Sequence, residues 1–264
     1  MEIKKIWREL GYKHIVWELL RFYLTIKSEP KQNAWLRDIE KNCAISTGKE
    51  PFPLQKSDVD LLVSYLEDRE TAFNVAADRL RNEKQAVKFC DDNNISFGTT
   101  STKSKDHHQA SKSLVATVSA IARDECSKMG IPLNHNPQTR CVWCSSNGLH
   151  VTARNLDGAI PSTNNPTIIW EIKEYWGKTN GGSKMSDAIY ECNLVGRELR
   201  DFEKTANLSI THAVFVDGRE QWAQRKSDLN RLIDLAHQGL IDLLLVGTDV
   251  ETEWRDNLVK LLKS

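Results

Sequence analysis

The run Thr167-Ile168-Ile169-Trp170-Glu171-Ile172-Lys173 is apolar and rich in β-branched residues, yet it carries an acid and a lysine two residues apart. Side chains alternate along a strand with period two, so Glu171 and Lys173 point to the same face. A second acid, Asp157, lies on a preceding extended segment. The turn formers Pro161, Ser162, Asn164, Asn165 and Pro166 can fold that segment back alongside the first. Two carboxylates and an ammonium then meet at one spot. Paired carboxylates form a hard-oxygen site suited to Mg²⁺, which takes one or two of them and keeps several waters. Such an ion polarises a phosphoryl oxygen and lowers the pKa of a bound water. An ammonium beside it can hold the attacking water or stabilise a pentavalent phosphate. The same residues also admit a plainer reading, a solvent-facing cross-strand ion pair worth less than about 1 kcal/mol.

The patterning around these residues predicts helices first and alternating strands and helices afterwards. Ile6, Leu10, Ile15, Leu19 and Phe22, with Trp7, Trp17 and Trp35 nearby, suggest amphipathic helices up to about Glu40. After a polar break from Ser46 to Pro53, a helix capped by Ser57 or Asp58 carries Val59, Leu62, Val63 and Leu66, and Thr71 to Phe89 reads as another. Asp91 to His108 is polar and turn-rich. Its Lys103 and Lys105 could contact phosphates, or the segment is a solvated linker. Ser111 to Lys128 reads as a helix with Leu114, Val118 and Ile121 on one stripe, which continues onto Glu125. A carboxylate on an apolar face needs a donor, a cation or a metal, so Glu125 is either a third acid of the site or a helix-end acid reaching solvent.

Strands follow at Arg140 to Cys144 or on to Val151, at Arg154 to Ile160 and at Thr167 to Tyr175. Next come a helix from Lys184 to Lys204, a strand from Thr211 to Val216, a helix through Trp222 and Leu235, a buried strand Ile241 to Val246 and a last helix Glu251 to Leu262. The order is αβββαβ with a further αβα.

Lys plus Arg equals Asp plus Glu at 36 each, so no global field advertises a polyanionic partner. No apolar run reaches the length of a membrane span, and Met1 to Lys5 lacks the apolar stretch of a secretory signal, which predicts a cytoplasmic protein. The six cysteines read as reduced thiols. Cys141 and Cys144, with Cys126 and His135, could complete a structural Zn²⁺ site, but their spacing matches no familiar finger. In the alternative, Cys141 and Trp143 simply furnish the inner face of a strand.

Asp157 followed by Glu171-Ile172-Lys173, in an αβββαβ order, resembles the PD-(D/E)XK nuclease superfamily. The resemblance covers about Ser111 to Val216; Leu156 stands where the nominal proline would be. It implies an α/β (α+β) fold with a restriction-endonuclease-like core, a mixed central sheet flanked by helices. The domains would be a helical N-terminal region over 1–98, used for packing, DNA recognition or dimerisation, and a catalytic domain over 99–264. By resemblance Asp157 and Glu171 would be Mg²⁺ ligands, with the Ile172 carbonyl a further one. Lys173 would position the nucleophilic water, and Glu125 occupies the place of an additional helix carboxylate.

Downstream, Gly177-Lys178-Thr179 has the closing letters of a phosphate-binding P-loop, but Ile172 stands where the opening glycine belongs. The segment reads instead as a basic loop, with Lys178 and Lys184 set to contact a DNA backbone beside a helix N-terminus. A chain without a motor looks most like a type II restriction endonuclease, a Mg²⁺-dependent enzyme acting as a homodimer on double-stranded DNA. The alternatives are a structure-specific or repair nuclease on the same core, and a noncatalytic DNA-binding or zinc-stabilised interaction protein.

Overall fold

A computed structural model describes residues 4–48, 50–100, 109–137, 139–177 and 182–264. Lys103, Lys105 and Lys178 lie outside the described residues. The N-terminal helices are α1 (Lys5–Leu10), α2 (Ile15–Thr25) and α3 (Glu29–Asn42). A two-residue hairpin, β1 (Ala44–Ile45) with β2 (Phe52–Pro53), leads to α4 (Lys56–Arg79) and α5 (Glu83–Asp92). The chain continues with α6 (Ser113–Met129), β3 (Asn134–His135), β4 (Val142–Ser145), β5 (Gly148–Val151), β6 (Gly158–Ile160), β7 (Ile168–Glu174) and α7 (Gly182–Ala206). It closes with β8 (Thr211–Asp217), α8 (Arg219–Gln224), α9 (Lys226–His237), β9 (Leu243–Val246), α10 (Asp249–Thr252) and α11 (Trp254–Lys263). Among the described residues no helix is long and apolar enough to cross a membrane.

The protein is mixed α/β, with a five-stranded sheet in the order β3-β6-β7-β8-β9 flanked by helices. β3 pairs with β6 and β6 with β7 in antiparallel fashion, whereas β7, β8 and β9 are parallel. Burial on both faces explains the apolar stretches Ile168 to Trp170 of β7, Ala213 to Val216 of β8 and Leu243 to Val246 of β9. On one face Ile168, Trp170, Phe215 and Leu245 pack against Leu114 and Val118 of α6 and Trp254 and Leu258 of α11. On the other, Ile169 meets Val195 and Leu199 of α7, and Val214 and Val216 meet Ile189 of α7 and Leu232 of α9.

Several elements differ from the sequence reading. The strand expected at Arg140 to Val151 is the β4–β5 hairpin, which pairs with itself outside the central sheet. The sheet's first strand is β3, two residues long and too short to show any alternation. Of Arg154 to Ile160 only the last three residues form a strand. The break expected before Thr71 lies instead at Leu80 to Asn82. Glu67 to Thr71 holds no helix breaker, whereas Asn82 and Gln85 form a reciprocal capping box that starts α5.

The N-terminal helices have their own core, in which Trp7 and Trp17 each meet Tyr65 edge-on at 5.0 Å between ring centroids. They are also tied to the sheet-bearing part. Tyr65 donates to Asp234 (2.7 Å), and Arg69 pairs with both oxygens of the same carboxylate at 2.7 and 2.9 Å.

Glu174 and Asp217 are register partners at the ends of β7 and β8. Glu174 accepts from the Leu114 N–H and the Trp176 indole, each at 2.7 Å. Burial nevertheless pushes its carboxyl up to about 7. Because the folded value lies above the usual one, its contribution to stability is complete below about pH 4.5 and disappears as the pH rises through about 7. Glu174→Gln keeps the acceptor and removes the titration. Urea melts at pH 5 and pH 7 should therefore differ less in this variant than in the wild type, by roughly 2 kcal/mol.

Candidate active site

The antiparallel and parallel parts of the sheet meet at β7, and the site sits there. Gly158 pairs with Trp170 in the last β6–β7 couple, and just before it the Asp157 N–H donates to the Trp170 carbonyl at 3.0 Å. Beyond that couple β7 has no strand partner on this side. The Asp157 carboxylate fills the gap, accepting the Ile172 N–H at 2.7 Å. In an antiparallel pair a residue's N–H and C=O point to the same neighbour, so the Ile172 carbonyl lies on this side too. A Cβ at Gly158 would fall 1.8 Å from the Trp170 ring, so only glycine lets the indole lie across the strand. Gly158→Ala should displace Trp170 and lower stability by about 1–3 kcal/mol, read as a lower urea midpoint. An unchanged midpoint would count against this packing.

Glu171 and Lys173 point to the α7 face, as alternation requires. Glu171 is 1% exposed and Lys173 4%. Lys173 Nζ lies 2.8 Å from Glu171 Oε2 and 3.0 Å from Glu191 Oε2 of α7. The other oxygen, Glu171 Oε1, is 3.1 Å from His212 Nε2 of β8, whose Nδ1 is 3.0 Å from the Leu240 carbonyl. Both ring nitrogens thus face oxygens, which hold the ring between Glu171 and the Leu240 carbonyl. Arg154 completes the group. Its Nε is 3.7 Å from Glu171 Oε2, and its Nη1 forms an ion pair with Glu191.

The electrostatics follow from burial set against these partners. Burial alone would raise Glu171, but the Lys173 charge and the His212 contact hold it well below the usual carboxylate range. Burial opposes the Lys173 charge, but Glu171 outweighs it and holds the ammonium above its ordinary value. Asp157 is raised, by burial first and also by repulsion from Glu171; the Ile172 N–H and the Lys173 charge compensate only in part. Asp157 is therefore a carboxylate short of positive charge next to a second carboxylate. That donor set fits a hard divalent cation, which needs only one or two carboxylates, supplemented here by a carbonyl. Among the described residues no group of three or more His, Cys, Asp and Glu side chains could hold a metal ion by itself.

Of the residues expected to carry chemistry, Asp157, Glu171, Ile172 and Lys173 come together. Glu125 does not join them. It is buried on α6, which packs on the Trp170 face of the sheet, and it pairs with Arg255 and, at 2.9 Å, with Lys128. Lys184 is exposed on the first turn of α7. The candidate zinc ligands are dispersed. Cys126 belongs to the α6 core, the Cys141 thiol is buried on the opposite face and pushed up to about 12 by that burial, and Cys144 is exposed.

Three site residues escaped the sequence reading. His212 had a signal, an ionisable ring inside an otherwise apolar strand, and so did Glu191, an acid beside the buried stripe of α7. Arg154 sits in a loop with no periodicity. A cavity of about 500 Å³ lined by Trp17, Tyr190 and Asp234 contains none of these residues, so the site is no part of it.

Fold and site together define a mixed α/β protein with a buried acid–lysine–histidine cluster where its antiparallel and parallel strands join. The chain belongs to the DUF7687 family, a domain of unknown function, whose model matches residues 70–261. The match takes in the last part of α4 and everything from α5 to the body of α11, and so includes every residue of the site. No curated protein and no solved structure matches the chain.

Proposed function

We propose that this protein is a Mg²⁺-dependent endodeoxyribonuclease of the PD-(D/E)XK type, acting on double-stranded DNA as a type II restriction endonuclease. The observation that carries this reading is the convergence of Asp157, Glu171 and Lys173 on a central strand, with both members of the Glu-x-Lys pair buried where charges need a reason. The element order α6, β3, β6, β7, α7, β8 supports it, being αβββαβ with the β4–β5 hairpin inserted.

A Mg²⁺ held by Asp157, Glu171 and the Ile172 carbonyl would supply a polarised phosphoryl oxygen and a water of lowered pKa. The chain's own groups do the rest. His212 fixes Glu171 Oε1 and leaves Oε2 to face the site. Lys173, kept protonated by Glu171, presents an ammonium to the water or to charge growing on phosphate. A homodimer would match the two-fold symmetry of a palindromic site.

The competing reading is a structural ion-pair cluster, favoured by the closeness of Lys173 and Arg154 to Glu171 and Glu191. Incubation of the purified chain with supercoiled plasmid separates the readings. Discrete fragments with Mg²⁺ and none with EDTA are expected, random or junction-limited cutting would indicate a repair nuclease, and intact DNA with both Mg²⁺ and Mn²⁺ would remove both nuclease readings.

A further inference from the structure

We infer that Arg154 is a phosphate-binding residue of this site, held in the DNA-free chain on the carboxylates it has to leave, and that Glu191 is the counter-ion that holds it there. The inference rests on the nuclease reading and adds a residue and a sequence of events to it. The backbone at this point is fixed, because the Thr152 hydroxyl donates to the Arg154 carbonyl at 2.8 Å while accepting the Cys141 N–H at 3.0 Å. The side chain is not fixed to the same degree, being 32% exposed where that of Lys173 is 5%. Its Nη1 is taken up by one oxygen of Glu191, and its Nε reaches only the Asn155 carbonyl, at 3.4 Å. A guanidinium held through such single contacts lacks the planar, two-oxygen acceptor it is shaped for.

The two cations at Glu171 Oε2 are therefore unequal. Lys173 is enclosed and keeps Glu191 when Glu171 takes another partner. Arg154 stands at the solvent side, 3.7 Å from the oxygen that a divalent ion would need. Positive charge arriving between Asp157 and Glu171 repels Arg154 outward, where the phosphates of a bound duplex would receive it. Arg154 thus opposes the metal while DNA is absent and favours DNA once the metal is present, so its removal should move the two affinities in opposite directions.

The test measures Mn²⁺ binding to the whole chain without DNA by calorimetry. It also measures binding of a fluorescein-labelled duplex in Ca²⁺ and in EDTA, for wild type, Arg154→Ala, Arg154→Lys, Glu191→Gln and Glu171→Gln. Arg154→Ala should bind Mn²⁺ about tenfold more tightly and the duplex about tenfold more weakly, the scale expected of one nearby charge. Arg154→Lys should recover part of the duplex affinity. Glu191→Gln should tighten the duplex when no divalent ion is present, because the guanidinium is already released. Thermal melting of each variant guards against misfolding, and Arg154→Gln replaces Arg154→Ala should the latter not fold. Unchanged Mn²⁺ and duplex affinities in Arg154→Ala, with Mn²⁺ binding lost in Glu171→Gln, would overturn this inference and leave the nuclease reading standing. Absence of Mn²⁺ binding in the wild type would overturn both.

Discussion

Lys173→Ala is expected to slow plasmid cleavage by about 10²–10³-fold, the usual cost of removing one preorganised charge from a developing phosphate or its water. No neighbour can substitute for it. Arg154 approaches Glu171 only to 3.7 Å, and His212 is committed to the far oxygen. The fold should tolerate the change better than most losses of a buried charge, because Glu171 keeps His212 and Arg154 as partners. Lys173→Arg restores the charge without the geometry of a compact ammonium and should recover little. Single-turnover rates on plasmid, alongside thermal melts, separate chemistry from unfolding. A rate for Lys173→Ala within about threefold of wild type would remove the ammonium from the reaction.

The largest expected effect on stability lies elsewhere, at Arg81. This residue is 2% exposed and joins the α4–α5 junction to the end of β8. Its Nε meets Asp217 Oδ2 at 2.6 Å, its own N–H meets Oδ1 at 2.8 Å, and its Nη1 meets Glu251 at 2.5 Å. Asp217 is fully buried and already pushed up to about 6 by burial despite this partner. Arg81→Ala therefore leaves a carboxylate with only two backbone donors, and it should cost roughly 3–5 kcal/mol and lower Tm by about 10 °C. Adding Asp217→Asn should return part of the loss, which a double-mutant cycle quantifies. Equal melting temperatures for wild type and Arg81→Ala would show that the junction is held by its apolar contacts alone.

How much was legible in the sequence depended on whether a residue's partner is local. Glu171 and Lys173 announce themselves because alternation along one strand places both on one face, and Asp157 because a turn-rich hairpin returns it to the next strand. β7, β8, β9 and α7 were readable because each has a long apolar period of its own. β3 was not, since two residues carry no period and its place in the sheet is decided by β6. Cys141 to Val151 has the alternation of a strand, but alternation does not say which partner the strand takes, and here it takes its own other half. Glu125 reads as an acid on an apolar stripe, and it is one. Its partner, Arg255, lies on the last helix, and only the tertiary fold shows that the stripe faces away from Glu171. His212 of β8, Glu191 of α7 and Arg154 of the loop before β6 lie far apart in the chain, so nothing in their spacing could bring them to the Glu171–Lys173 pair.

The hairpin has a practical side. The chain departs from β3 at Asn136 and returns at Asp157, and the Asn136 N–H donates to the Asp157 carbonyl at 2.8 Å. Everything between those residues, including β4, β5 and the Arg154 loop, is an excursion whose two ends are already clasped. Its tip at Ser146 and Asn147 can be lengthened, trimmed or exchanged for a foreign loop without moving the register of β6 on β7. The protein thus carries a natural graft point at the tip of a hairpin whose base is clasped at Asp157, where new contacts can be installed while the pairing beneath stays as it is.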